Sequence, residues 1–375
     1  MCGGFHQHGG MDRANLALAE YLRSDGHEVF LVGHDFDEKR TRGFGKKEVP
    51  RYLGSTALGE RGLWQIGKRE AERLVRQHPR ARVVANGGNC SFGDINWVHY
   101  VHHGYASIYR DAPHWVRWKD RVLRHMYRRR EARALRCARL VIANSQTAAQ
   151  QLIASVGVPE SRVKVVYLGC APDLYPASVA ERNAAREWLK IEPRDRVVAF
   201  VGALGWDDNK GLETLWRAWE KTVRSSAENC VLVVAGGGAR LEHWRSRIAA
   251  SGLGAAVRVL GFTERVNDVL AAADVLVSPS RYETFGLNVQ EAICRGVPAI
   301  ASASAGIAEL YPPGMRPLLL PDCDDPDALA RLILGCLDNL EHWKEQTNAF
   351  ADQLRTNSWA DMAKRIVELA SEANR

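Results

Sequence analysis

The segment from Ser278 to Ala301, SPSRYETFGLNVQEAICRGVPAIA, carries two carboxylates, Glu283 and Glu291, eight positions apart in mostly apolar company. The residues up to Ser280 read as a strand, and those from about Leu287 to Arg295 as a helix stopped by Gly296 and Pro298. Gly286 between them permits a close backbone approach. Glu283 then stands at the C-terminal end of a strand, and Glu291 about a turn inside the helix. In open parallel sheets this is the edge where ligands bind, and the free N–H groups of a helix start favour phosphate oxygens. In a second stretch, VGALGWDDNKG, a strand ends in a loop carrying Lys210 just before a helix at Gly211. A lysine there is a mobile point charge suited to a diphosphate. A third, NWVHYVHHGYASIY, holds His99, His102 and His103. Read as an extended run, it puts His99 and His103 on one face and His102 on the other. The H-x-x-H-H spacing has no carboxylate or cysteine close by in sequence to complete a metal site.

These residues need a scaffold, and 375 residues suffice for about two domains. Short β-rich runs alternate twice with amphipathic helical patterns, the signature of parallel doubly wound sheets. In the first half the strands are read at Glu28 to Gly33, Ala81 to Asn86, Trp97 to His102 and Leu140 to Ser145. The second half supplies Arg196 to Gly202, Cys230 to Gly236, Val257 to Gly261, Asp274 to Ser280 and Val297 to Ser302. A Gly- and Pro-bearing linker follows Val166, which sets the domains at 1–170 and 171–357, with a last helix at 358–375 opened by Ser358. The helix from Asp12 follows the glycines so closely that the strand normally feeding such a loop is expected to be missing, as from a truncated start.

The quoted pattern S-x-x-E-x-F-G-x-x-x-x-E-A-x-x-x-G-x-P-x-I resembles the E-x7-E signature of retaining glycosyltransferases of the GT-B fold, especially family 4. Other segments resemble that family in the same order, among them GGMDRANLALAEYLRSDGHEV, LVIANSQ, VKVVYLGCAPDLYP, VGALGWDDNKG, LVVAGGG, VRVLGF and AGIAELY. The resemblance implies an α/β chain of two Rossmann-like domains facing a central cleft, with the last helix packing back on the N-terminal domain. It implies transfer of a hexosyl group from a nucleoside diphosphate sugar to a glycan or lipid-linked acceptor, with retention and without metal or other cofactor. Glu283 is then the contact to the sugar hydroxyls, and the backbone of Phe285, Gly286 and Leu287 meets sugar and diphosphate. Glu291 accepts from the ribose, and Gly261 and Phe262 flank the base. Gly9 and Gly10 resemble the N-terminal glycine loop on the donor phosphates. His102, with His103 second, corresponds to the histidine near the reactive carbon, and His99 and His103 are assigned to the acceptor side. The family commonly has an arginine where this chain has Ala203, which leaves Lys210 as the clear cationic phosphate ligand and keeps a catalytically impaired binding protein in view. A nucleotide-sugar epimerase of the same fold is the other alternative.

A nicotinamide oxidoreductase is disfavoured, because VGALGWDD and GGGARLEH both miss the G-x-G-x-x-G spacing. The D-x-D pairs at Asp35 to Asp37 and Asp322 to Asp324 lie in charged loops and read as chance. Eight scattered cysteines without a C-x-x-C pair, and no run near the roughly 18 apolar residues of a membrane helix, point to a reducing cytoplasm. Charge is uneven: residues 115–140 hold ten Lys or Arg against Asp120 and Glu131, more than the chain's whole surplus of +7. As a helix this segment gathers Trp115, Trp118, Val122, Leu123, Met126, Tyr127, Ala134 and Ala138 in one broad arc. It either packs that arc on the sheet with its arginines solvated, or meets an anionic membrane or an acidic acceptor. Cell-envelope or polysaccharide synthesis at the inner membrane face is the matching expectation, with no nucleic-acid partner.

Overall fold

The structure, a computed structural model, describes residues 1–7, 9–51, 56–105, 107–109, 111–171, 173–226 and 229–373, without the side chains of 56–60. The chain divides into two compact units. The first comprises Met1–Ala106, Pro113–Gly169 and Asn357–Arg375, and the second Ser107–Ala112 and Cys170–Thr356.

In the first unit the strands are β1 (Gly4–Phe5), β2 (Phe30–Gly33), β3 (Asp35–Phe36), β4 (Gly45–Glu48), β5 (Val84–Ala85), β6 (Ile95–Val98), β7 (Leu140–Ala143) and β8 (Val163–Val165). The helices are α1 (Gly10–Ser24), α2 (Thr56–Gln77), α3 (His114–Cys137) and α4 (Gln146–Gln151). All pairings are parallel: β5-β6-β7-β8 form one sheet, while β1 pairs β3 and β2 pairs β4. The expected absence of a first strand is corrected here. Residues 1–5 supply it: the Cys2 N–H donates to the Val32 carbonyl, the Asn86 N–H to that of Met1, and Gly4–Phe5 pairs with Asp35–Phe36. Two glycines in CGGF hid it, because glycine carries no β-forming side chain. The strand read at Trp97 to His102 is also corrected: β6 covers Ile95–Val98, and residues 102–104 turn.

The second unit begins with α5 (Val179–Leu189). It continues with β9 (Arg196–Val201), α6 (Leu212–Ser225), β10 (Cys230–Ala235), α7 (Leu241–Ala250), β11 (Val257–Gly261), α8 (Val266–Ala272), β12 (Val275–Ser278), α9 (Leu287–Cys294), β13 (Ala299–Ser302), β14 (Leu319–Leu320), α10 (Pro326–Asp338) and α11 (Leu340–Arg355). Its sheet is parallel in the order β11-β10-β9-β12-β13-β14. Continuous apolar runs such as CVLVVA are buried along their whole length, as strands covered on both faces must be. Trp216 and Trp219 of α6 fill the space beneath. A buried ionic knot fixes α5: Asp274 accepts from Arg182 at 2.6 Å, from Arg186 at 2.9 Å and from the Val197 N–H at 2.8 Å.

The last helix, α12 (Trp359–Glu372), belongs to the first unit and packs against α1, with the Arg13 guanidinium over the Trp359 ring at 5.5 Å. Ser358 caps it as its position suggests: its hydroxyl accepts from the Asp361 N–H, and the Asp361 carboxylate accepts from the Ser358 N–H.

Candidate active site

The order β11-β10-β9-β12-β13-β14 reverses direction between β9 and β12, so the loops leaving these two strands diverge and open a crevice at their C-terminal ends. Two charged side chains of the second unit lie on those loops. Lys210 follows β9, Glu283 follows β12, and the Lys210 ammonium donates directly to Glu283 Oε2. Both are partly exposed, with side-chain accessibilities of 27% and 17%, so the pair is open to a ligand.

Local sequence explains the placement. Gly211 caps α6 with φ 74°, and a Cβ there would lie 2.1 Å from the Pro279 carbonyl, so this turn admits glycine. Asp208 just before it holds φ 46°, a rare conformation for a non-glycine residue. Its carboxylate accepts from the Glu213 N–H at 3.2 Å and from Arg281 at 2.6 Å. Burial pushes the Asp208 carboxyl above the usual range, against the pull of Arg281. Gly286 caps α9 with φ 116°, and a Cβ would meet Ile307 Cγ2 at 2.9 Å. The loop is pinned on both sides: Gly306 N–H donates to the Glu283 carbonyl at 3.1 Å and Ile307 N–H to that of Phe285 at 2.7 Å. The α9 start is tied to the sheet by Asn288, whose amide donates to the Val201 carbonyl at 3.0 Å and the Ser278 hydroxyl at 3.1 Å.

The sequence-derived residues of this unit thus fall as follows. Phe285 turns its ring into the core, leaving its backbone and that of Gly286 and Leu287 at the helix start. Glu291 lies half-buried in the second turn of α9. Gly261 closes β11, two strands from β9, and the Phe262 ring after it is 72% exposed, a free aromatic face.

Arg281 escaped sequence reasoning although it stands two residues before Glu283. Its guanidinium, 3% exposed, donates to Asp208 and to Asp324 at 2.6 Å each, tying the loop after β9 to the loop after β12. This also explains the second D-x-D pair, since Asp324 is Arg281's partner and Asp322 Oδ1 accepts from the Asp324 N–H. In the first pair, Asp37 accepts from the Lys39 and Arg40 N–H groups and Asp35 pairs with Arg51.

In the first unit Gly9 caps α1 with φ 81° and Gly10 begins it, while Asp12 accepts from the Gly4 N–H at 3.2 Å. The three histidines follow β6, but the alternating faces expected of an extended run do not apply past Val98. His99 leans on the Trp97 ring at 4.4 Å, and burial holds its pKa down to about 3. His102 sits between Tyr100 and Tyr127, at 4.9 and 5.1 Å between ring centres. Burial, helped by the Arg124 charge, lowers its pKa to about 4, so it is a neutral imidazole near neutral pH. The turn is clamped by a residue with no sequence signal: buried Glu131 of α3 accepts from the His102 N–H at 2.8 Å, the His103 N–H at 3.2 Å and His103 Nδ1 at 2.6 Å. Arg128 adds a bond to the His102 carbonyl at 2.9 Å. The broad apolar arc expected on this helix is divided. Ala134 and Ala138 are buried, whereas Trp115 and Trp118 are 65% and 68% exposed.

The family described as Glycosyl transferases group 1 matches residues 195–339, and Glycosyltransferase Family 4 matches residues 8–174. A D-inositol 3-phosphate glycosyltransferase of Rhodococcus opacus is 34% identical over 188 residues, 48% of this chain and 41% of that protein. The chain spans about half the length of the curated relatives it matches. Sucrose-phosphate synthase from Thermosynechococcus elongatus superposes with a TM-score of 0.76 at 20% identity, over 99% of this chain and 95% of that one. HepE from Anabaena, solved with UDP-glucose, gives 0.71 at 18% identity, over 99% of each chain. Two glycosyltransferase family models thus follow one another along the chain, family 4 over residues 8–174 and group 1 over residues 195–339, and the fold is GT-B.

Proposed function

We propose that the chain is a glycosyltransferase that moves a hexosyl group from a nucleoside diphosphate sugar to a glycan or lipid-linked acceptor, with retention of configuration. The observation that carries this reading is the Lys210–Glu283 pair at the β9/β12 switch, one loop turn from the α9 N-terminus. A diphosphate departing from an oxocarbenium-like sugar concentrates negative charge, which a lysine and free helix N–H groups stabilise. Glu283 exchanges Lys210 for the sugar hydroxyls, and Glu291 accepts from the ribose. The exposed Phe262 ring stacks on the base. Retention on this reading comes from same-face attack assisted by the leaving phosphate. On this reading Gly9 and Gly10 meet the donor phosphates, His102 attends the reactive carbon as a neutral hydrogen-bonding group, and His99 and His103 serve the acceptor side.

UDP-glucose is the first donor to try, because HepE was solved with it. The test is nucleotide release from UDP, GDP and ADP sugars with a panel of glycan, inositol phosphate and lipid-linked acceptors, in the presence and absence of EDTA. Turnover that needs an acceptor, survives chelation and preserves the anomeric configuration supports the reading; binding of donors without turnover replaces it with a binding role. That second reading has its own support in Ala203, an exposed methyl where the family commonly carries an arginine.

A further inference from the structure

The outward side of α3 is unlike an ordinary solvated helix face. The buried residues Glu131, Ala134 and Leu135 define its inner side, at 0%, 2% and 0% exposure. At 100° per residue, Trp115, Trp118 and Val122 point to the opposite side, and they are 65%, 68% and 49% exposed. Two tryptophans left this open forgo a large burial gain that a globular surface normally takes. The same outer stripe continues with Arg129 and Arg133, and Lys119 and Arg121 flank it, all exposed. Asp120, an acid on this half of the helix, is engaged by Arg124 at 2.6 Å, and Glu131 is turned inward. The stripe is therefore aromatic at its N-terminal end and cationic along its remaining length.

We propose that this face of α3 docks the protein on an anionic membrane surface. Trp115, Trp118 and Val122 enter the boundary between headgroups and acyl chains, while Lys119, Arg121, Arg129 and Arg133 meet acidic headgroups. Charge complementarity selects this occupant. A second copy of the chain would bring two like-charged stripes together, and a neutral surface would leave the arginines unanswered. Tryptophan suits the position because its ring is apolar while its N–H stays at the wet boundary. The contact is interfacial: among the described residues no helix is long and apolar enough to cross a membrane. The inference does not depend on the proposed activity, and its test reads binding alone.

The experiment is co-flotation of the full chain with vesicles of phosphatidylcholine, with and without about 30 mol % phosphatidylglycerol, at low and high salt. The expected result is binding to the anionic vesicles that weakens with salt. Trp115→Ala/Trp118→Ala and Arg129→Glu/Arg133→Glu should each weaken it about tenfold or more. All these side chains are exposed, so circular dichroism and thermal melting should match the unaltered chain, which separates lost docking from lost folding. Failure of the unaltered chain to bind anionic vesicles at low salt overturns the proposal, as does undiminished binding by both double variants. A dimer that Trp115→Ala/Trp118→Ala dissociates, with no vesicle binding, overturns it in favour of a contact between copies.

Discussion

Lys210 and Glu283 neutralise one another as the chain stands, and each must exchange its partner to hold a nucleotide sugar. Glu283→Gln releases the lysine. It should leave nucleoside diphosphate affinity equal or tighter by calorimetry while turnover drops on the order of a hundredfold, whereas Lys210→Ala should weaken both. Glu291→Ala should weaken bare nucleotide binding too, and equal losses in the two glutamate variants would undo their separate assignments. His99 gives a pH prediction. Its folded pKa of about 3 lies below the ordinary histidine value of 6.5, so below pH 6.5 the unfolded chain binds the extra proton and stability falls on acidification towards pH 3. At pH 5 this amounts to about 2 kcal/mol, the 1.5 pH units below the unfolded pKa at about 1.4 kcal/mol each. His99→Phe, which keeps a ring beside Trp97, should reduce the dependence of the melting temperature between pH 7 and pH 5 and leave the share due to His102, whose pKa is lowered to about 4; an unchanged slope would place the acid sensitivity elsewhere.

The turns around β9 and β12 show the same division of labour between glycine and charge. Gly286→Ala would force a side chain into a left-handed backbone and against Ile307, so it should lower stability by about 1 to 3 kcal/mol in urea titrations and reduce donor binding with it. Arg281→Ala removes the buried cation that Asp208 and Asp324 share and should cost about 3 kcal/mol, most of it from the buried Asp208 pair. The order of these elements could be read from residue types: β9 to β13 are apolar runs, and the glycines and prolines that stop α9 are visible in ICRGVP. What stayed hidden has physical reasons. Gly4–Phe5 forms a strand through its backbone, with glycine contributing no pattern. The histidine turn is shaped by Glu131, 28 residues along the chain from His103, and sequence adjacency cannot report such a contact. The α3 arc misled because amphipathicity identifies an apolar side without saying whether protein or another phase covers it.

At the scale of the molecule, residues 357–373 are part of the first unit although they follow the whole second unit in sequence. Removing α12 takes away Met362, Ala363, Ile366 and Leu369, all buried, a loss on the order of 5 to 10 kcal/mol that rivals the stability of a whole domain. A chain ending before Ser358 should therefore lose cooperative melting of its first unit, or aggregate; near-normal melting would mean that α1 stands without its partner helix.

Gly169 and Asn357 mark the points where the chain leaves the first unit and returns to it, and roughly 190 residues lie between them. On the ribosome that interval lasts roughly 10 to 40 s, during which α1 has emerged but the helix that covers it has not yet been made. The first unit is begun first and finished last. A nascent chain of this design exposes the α1 surface throughout synthesis of the second unit, and it should depend on chaperone capture during that interval more than a chain whose domains follow one another end to end.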